Sequence, residues 1–478
     1  MDRMDLTIRE IAEACGGRLV LQGENANNDI CVSSVVIDSR VVEPQGVFIA
    51  TVGERVDGHK FVPSVFEKGA VLAVVEKTPE QTKAEHGCRA GQWGSYVLVE
   101  NTLQALKDIA AAYRKKLTIK IIGITGSVGK TSTKEFVAGV LAEKYCVLKT
   151  EGNLNNEIGL PLTLLRIRDE HEVAVVEMGI SDFGEMHRLS KVARPDVCMI
   201  TNIGQSHLNN LKSREGILKA KSEIFDYMAE DGEICLNGED DKLSPLREIR
   251  GHRPHFFGLG GNPQEEVAAV DIVSRGLWGS DAVLVMKDGG RLPIHVSQPG
   301  RHMVLNAAAA ACVAGLFGLT QEEIAAGISK VAAISGRTNI IRLPHYTLID
   351  DCYNANPASV RAAIDLLALA DTEKVAILGD MLNLGDNSHR YHAEAGKHAA
   401  DMGIDRIICV GEESRYMFQE AVDHAEETKY ISHYPDKDTL LKELLAKRKD
   451  LVPDGSTVLI KASHDMGFED ILEYLRRQ

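Results

Sequence analysis

A chain of 478 residues with 44% hydrophobic and 26% charged side chains has material for about three globular domains, which excludes a single small module and a disordered polymer. Its 54 Lys and Arg against 69 Asp and Glu leave a net charge of −15, which opposes binding along a nucleic-acid backbone but not the capture of one nucleotide in a local pocket. No stretch of about 18 apolar residues occurs and the N-terminal MDRMDLTIREIAEACGG has no uninterrupted apolar run, so a cytoplasmic protein without membrane insertion is expected.

In chain order, the first hundred residues carry β-rich runs at 31–38, 46–53, 70–76 and 95–100, separated by turns, and read as an α/β unit. NTLQALKDIAAAYRKKL (101–117) has helical spacing and leads into the apolar run IKIIGIT, so the first boundary is placed there. Apolar strands at 119–125, 173–179, 197–204 and 232–237 then alternate with helical stretches, the pattern of a parallel sheet wrapped by helices. Residues 251–297 read as an antiparallel annex. After Arg337 a third series of strands (347–352, 374–380, 406–411, 456–463) suggests a smaller doubly wound domain. Nine cysteines are scattered singly with no C-x-x-C pair, as in a reducing compartment.

The strongest local signal is Gly123-Ile124-Thr125-Gly126-Ser127-Val128-Gly129-Lys130-Thr131-Ser132, between a strand and a helix starting at Lys130. Glycines let backbone N–H groups crowd around phosphates, Lys130 reaches the β/γ oxygens and Thr131 can ligate Mg²⁺. Ile124 stands where the strict pattern has glycine. Glu177 ends a strand at the edge where α/β sheets bind ligands, and reads either as a Mg²⁺ ligand or as a solvated strand end. His207 follows the next strand and could approach the same edge or be an ordinary loop residue. Lys221, by periodicity alone, is a solvated helix lysine. Asn155 and Asn156 read equally as substrate contacts or a polar turn.

Taken together, TGSVGKTS (125–132), Asn153 to Asn156 with Gly159 and Pro161, VVEMG (175–179), TNIGQSHL (201–208), KAKSEIF (219–225), Gly300-Arg301-His302 with Asn306, Gly336-Arg337 and DCYNANP (351–357) resemble the Mur ligases, the ATP-dependent amino-acid- or peptide-adding enzymes of bacterial cell-wall precursor synthesis. Tyr353-Asn354-Ala355-Asn356-Pro357 and Leu378-Gly379-Asp380-Met381 with Leu384-Gly385 resemble the branch that joins D-Ala-D-Ala to UDP-N-acetylmuramoyl-tripeptide; the D-N-P-R string of the diaminopimelate- or lysine-adding branch is absent.

The resemblance implies three α/β domains: an N-terminal nucleotide-substrate domain (1–100), a central P-loop parallel-sheet ATPase domain (101–335) and a C-terminal Rossmann-like domain (336–478). It implies ATP and two Mg²⁺ ions as cofactors, and UDP-MurNAc-tripeptide and D-Ala-D-Ala as substrates; a monomer is the default expectation, since no zipper or repeat is visible in the sequence. By carry-over, Gly126, Ser127, Gly129, Lys130, Thr131, Ser132, Asn306, Arg337, Asp351 and Asn354 would bind ATP. Thr131 and Glu177 would hold one metal; His207 and Lys221, the latter carbamylated, would hold the second, and Lys130, Lys221, His207 and Glu177 would be catalytic. Ser39, Arg40, Asp57, Gly58, His59, Asn155, Asn156, Asn356 and Lys461 would contact substrate. One departure stands out: where the family reads K-G-S-R, this chain has Lys461-Ala462-Ser463-His464, and an imidazole cannot repeat a bidentate guanidinium contact. The rival readings are a folate-adding ligase, which would be expected to start near its P-loop, a nucleotide-gated switch, and a Mur-type ligase acting on another acceptor.

Overall fold

Fully apolar strands can be buried on both faces only in sheets covered by helices, and three such sheets organise the chain. The computed structural model describes residues 4–22, 27–53, 56–86, 93–332, 336, 339–426 and 429–478. The first sheet runs in the order Arg18–Val20, Tyr96–Leu98, Leu72–Val75, Val47–Ile49, Val35–Val36; only Arg18–Val20 is antiparallel.

The central sheet has nine strands, ordered Arg291–Val296, Ser280–Met286, Glu265–Ser274, His255–Gly258, Glu233–Asn237, Val197–Ile200, Lys120–Thr125, Val173–Glu177, Val147–Lys149. The strand before the P-loop therefore lies between Val197–Ile200 and Val173–Glu177, and the loops after all three share one edge. The expected annex at 251–297 is only partly antiparallel. His255–Gly258 pairs parallel with both Glu233–Asn237 and Glu265–Ser274, and the antiparallel pairing begins at Ser280–Met286. The sequence misleads here because a four-residue strand between charged turns carries no periodicity that reports its direction.

The third sheet, Asn339–Arg342, Thr347–Asp350, Thr457–Lys461, Lys374–Gly379, Arg406–Val410, Tyr430–Tyr434, is parallel apart from its first strand. Among the described residues no helix is long and apolar enough to cross a membrane, and the cysteines are unpaired.

Packing joins the first two units more tightly than the third. The helix Thr102–Lys116 is capped by Asn101, whose side chain accepts from the Gln104 N–H, and ends in Arg114, Lys115 and Lys116, which suit the negative end of its dipole. It packs on the N-terminal unit and on the central helices Gly159–Leu164 and Glu185–Ala193, so Ile8, Val74, Ile109, Leu160 and Leu189 belong to one continuous core. The C-terminal sheet has its own cores on its two faces. Arg114 fastens the junction: its guanidinium donates to the carbonyls of Ala193 (2.8 Å) and Arg194 (3.0 Å) and to the Asp196 carboxylate (3.0 Å), all largely out of solvent. Replacing Arg114 by Met leaves these acceptors without their donor and is expected to destabilise the chain by about 3 kcal/mol in urea unfolding; a loss below about 0.5 kcal/mol would contradict this role.

Candidate active site

The P-loop begins where Lys120–Thr125 ends, and Ile124 is simply the fifth residue of that buried strand. Gly126 is required by close approach: a Cβ there would lie 1.9 Å from Thr201 Oγ1. The loop is clamped by the residues after the neighbouring strand. Asn202 accepts from the Val128 N–H (3.0 Å) and donates to the Val128 carbonyl (2.9 Å), its own carbonyl accepts from the Ser127 N–H (3.1 Å), and Thr201 Oγ1 donates to the Val128 carbonyl (2.7 Å). The helix Lys130–Leu141 that follows has Gly129 as its N-cap and no side-chain cap. Its N-terminal N–H groups and positive dipole end are thus left to an anion.

Glu177 is buried and fully engaged. Its Oε2 accepts from Thr131 Oγ1 (2.8 Å), its Oε1 from Asn155 Nδ2 (2.8 Å), and its backbone N–H donates to Thr150 Oγ1 (2.9 Å). The reading of Glu177 as a solvated strand end is therefore wrong. So is that of Lys221 as a solvated lysine: it is 2% exposed, and its Nζ donates to the Gly126 carbonyl at 3.0 Å. Lys130 Nζ donates to the same carbonyl at 2.9 Å. Burial first, and then the Lys130 charge, pushes the Lys221 amine well below its ordinary pKa. His207, held at φ 57°, is pushed down to about 4 by burial and then by Lys130 and Lys221, so it is a neutral imidazole near neutral pH. Ser206 Oγ beside it and Thr125 Oγ1 at the base of the loop are buried without a hydrogen-bond partner.

These groups face a cleft of about 720 Å³ between the central and C-terminal units. Ser127, Gly129, Lys130, Ser132, Asn155, Asn156, Glu177, His207 and Asn306 line one side, and Asp351, Asn354, Asn356 and Lys461 the other. Gly126, Thr131 and Lys221 lie behind that lining. Asn306 Oδ1 accepts from Thr133 Oγ1 (2.9 Å). Lys461, 2% exposed, holds the opposite wall together by donating to Asp351 Oδ2 (2.6 Å) and the Asn354 carbonyl (2.9 Å). Two asparagines are engaged at helix starts: Asn156 accepts from the N–H groups of Ile158 and Gly159 in the turn that enters Gly159–Leu164, and Asn356 caps Pro357–Ala368 by accepting from the Ser359 N–H. Arg337 lies outside the described residues.

The N-terminal candidates do not reach this cleft. Ser39, Arg40, Asp57, Gly58 and His59 gather at the C-terminal edge of their own sheet. Arg40 folds back on Asp38 (2.7 Å) and, by hydrogen bonding to it, holds the Asp38 carboxyl down to about 2. Lys68 Nζ donates to the Ser39 carbonyl (2.7 Å). Asp57 accepts from the His59 ring (2.6 Å), Lys77 (2.9 Å) and His86 (3.0 Å), while His59 Nε2 accepts from the Glu76 N–H (2.9 Å), which fixes the neutral tautomer. His464 is 62% exposed, lies against Glu469 and the Tyr353 ring, and does not line the cleft.

Sequence reasoning quoted Thr201 and Asn202 without singling them out, although a Thr-Asn pair directly after a strand beside a P-loop is a legible signal. It also passed over Thr150 and over Asp350, whose Oδ2 accepts from the Gly336 N–H at 2.9 Å and anchors the entry to the C-terminal unit.

Three family models match in succession: the Mur ligase family catalytic domain (32–114), the Mur ligase middle domain (124–314) and the Mur ligase glutamate ligase domain (336–464). The chain is 35% identical over 472 residues, covering 98% of each protein, to the UDP-N-acetylmuramoyl-tripeptide--D-alanyl-D-alanine ligase of Bacillus subtilis. It is similar to a solved structure of MurF from Acinetobacter baumannii (TM-score 0.86, 31% identity, 100% of both chains) and to MurF ligase from Thermotoga maritima in complex with ADP (TM-score 0.77, 28% identity, 93% of this chain and 97% of that one).

Because Asn202 alone bonds both the N–H and the carbonyl of Val128, Asn202→Ala is expected to loosen the loop and raise the Kd for ADP about tenfold in calorimetry. An unchanged Kd would remove the clamp.

Proposed function

The chain belongs to the Mur ligase family, and we propose that it is the ATP-dependent ligase that adds D-alanyl-D-alanine to UDP-N-acetylmuramoyl-tripeptide, completing the cytoplasmic peptidoglycan precursor. The observation that carries the reading is the cleft itself. A clamped P-loop, an uncapped helix N-terminus and Lys130 on one side, with Lys221 behind them, face an Asp351–Lys461 wall from a separate unit, in a chain that matches its relatives over nearly its whole length.

In this reaction a carboxylate oxygen of the tripeptide attacks the γ-phosphorus of ATP, the bond to the β-phosphate oxygen breaks, and ADP and an acyl phosphate result. The amine of D-Ala-D-Ala attacks the acyl carbon and loses a proton, and the tetrahedral intermediate expels phosphate as the amide forms. Negative charge shifts among phosphate and carboxylate oxygens throughout, so the protein must supply positive charge and orientation rather than a nucleophile. We assign Lys130 and the N–H groups of 126–132 to the phosphates, Asn306 to the base, and Asp351, Asn354 and Arg337 to closure from the C-terminal side. The meeting of two units over the cleft would exclude water from the acyl phosphate.

The donor set suits Mg²⁺, a hard cation: Thr131 Oγ1 and Glu177 Oε2 are already 2.8 Å apart, and His207 offers a neutral nitrogen. Bound there, Mg²⁺ would draw charge from the phosphate oxygens. Lys221 as an ammonium does not fit such a set; as a buried neutral amine it does, through one reaction. The amine attacks CO₂, an N–C bond forms and a proton leaves to solvent, which turns a neutral amine beside Lys130 into an anion able to ligate metal.

We assign 1–100 to the uridine nucleotide-peptide, with Ser39, Arg40, Asp57, Gly58 and His59 at its sheet edge, 101–335 to ATP, and 336–478 to closure and the incoming dipeptide. Asn155 and Asn156 serve the acceptor peptide. In Lys461 we see a residue that shapes the wall through Asp351, with Asn356 ordering the helix behind it. The protein acts as a monomer in the cytoplasm, without nucleic acid.

With ATP, Mg²⁺ and UDP-MurNAc-tripeptide, phosphate release is expected to require D-Ala-D-Ala and to yield a pentapeptide by mass; release indifferent to both acceptor and dipeptide would sink the reading. Lys130→Ala is expected to lower kcat about a thousandfold, and ligation at the wild-type rate would remove the P-loop assignment. Lys221→Ala is expected to be inactive and to recover partly with added short carboxylates, since the missing group is an anion; full activity without them would show that no anion is needed there.

A further inference from the structure

Among the described residues, the central and C-terminal units also meet at a turn of the central sheet that is not itself part of the cleft lining. The strands Glu265–Ser274 and Ser280–Met286 are joined by a turn, Gly276–Trp278, that projects from the central unit. The turn is stiffly built. Arg275 N–H donates to the Gly279 carbonyl (2.8 Å), Trp278 N–H to the Arg275 carbonyl (3.2 Å), and Arg275 Nε to Asp281 (2.7 Å). Gly279, at φ 101°, admits no side chain, because a Cβ would lie 2.0 Å from the Val296 carbonyl oxygen.

What the turn carries at its tip belongs to the other unit. Leu277 is buried, and it is the one residue from before position 339 in the described apolar cluster of Ile349, Ile364, Leu367, Ala370 and Leu378. The next residue, Trp278, has the guanidinium carbon of Arg342 3.4 Å from its ring centroid, a stacked cation–π contact. Both contacts lead to the cleft. Arg342 ends the strand Asn339–Arg342, whose partner Thr347–Asp350 runs directly into Asp351. Ile364 and Leu367 lie on the helix Pro357–Ala368, and Ala362, Ala363 and Leu366 of the same helix line the cleft.

We propose that the Gly276–Trp278 turn is a strut that positions the C-terminal unit for ligation, Leu277 serving as its socketed end and the Trp278–Arg342 stack as its brace. This rests on the ligase reading above. The strut stands behind the elements that carry Asp351, Asn354 and the apolar wall, so its loss misplaces them over the P-loop without touching the site where the uridine substrate is assigned.

Steady-state kinetics on the full chain test this. Leu277→Asp is expected to lower kcat about tenfold or more while KM for UDP-MurNAc-tripeptide stays within about twofold, and Leu277→Met to keep at least about half the rate. Trp278→Ala and Arg342→Ala should each cost about threefold in kcat, and the double variant no more than the worse single. Should Leu277→Asp fail to fold, the exposed Trp278 and Arg342 variants carry the test alone. Unchanged kcat, a loss expressed only in KM, or independent effects of Trp278 and Arg342 would overturn the strut. Small-angle scattering of the ADP-bound protein separates this from the ligase reading: the double variant should give a larger radius of gyration than wild type, and identical profiles would refute the strut whatever reaction the protein performs.

Discussion

Two lysine side chains, Lys130 and Lys221, donate to the single carbonyl of Gly126, at 2.9 and 3.0 Å. Both side chains converge on one point behind the P-loop, where burial and then the Lys130 charge push the Lys221 amine well below its ordinary pKa. A pocket built this way is a demand for anions. Phosphate oxygens meet it from the cleft, and a carbamate on Lys221 would meet it from behind. The clamp of Thr201 and Asn202 on Val128, and the Thr131–Glu177–Asn155 chain, keep the Gly126 carbonyl where both lysines find it.

The architecture divides this work by edge. In each of the three sheets the candidate residues gather at the C-terminal ends of the parallel strands, the edge at which open α/β sheets bind ligands. The first two share a core through the helix Thr102–Lys116, so the proposed acceptor site on the first sheet would keep a fixed relation to the P-loop. The C-terminal unit has separate cores, and it brings Asp351, Asn354 and Lys461 to the far wall of the cleft. Orientation between these bodies then becomes part of the chemistry, which is why a contact such as Leu277 can bear on a reaction it never touches.

The P-loop was legible because its glycines, lysine and threonine each answer a separate physical need in a strand-to-helix context, and the continuous apolar runs announced covered parallel sheets. Lys221 was not. Its helical spacing is that of any solvated lysine, and only the tertiary approach of its helix Arg214–Ser222 to the loop buries it. Only the resemblance to a family singled it out. Asn156 and Asn356 show the converse limit: asparagine in the turn before a helix or at its cap is favoured for local reasons, and their side-chain carbonyl oxygens are spent on backbone N–H groups. Asp350 was invisible beside Asp351, since one residue of register separates a buried anchor from a cleft carboxylate. The direction of His255–Gly258 was equally beyond a short run of letters.

The most direct test of the account is ¹³C NMR of the purified protein equilibrated with ¹³C-bicarbonate. A carbamate carbon resonance is expected in wild type and is expected to be absent from Lys221→Ala. Active wild-type enzyme without that resonance would contradict that expectation, and the anion facing Lys130 would have to come from substrate alone.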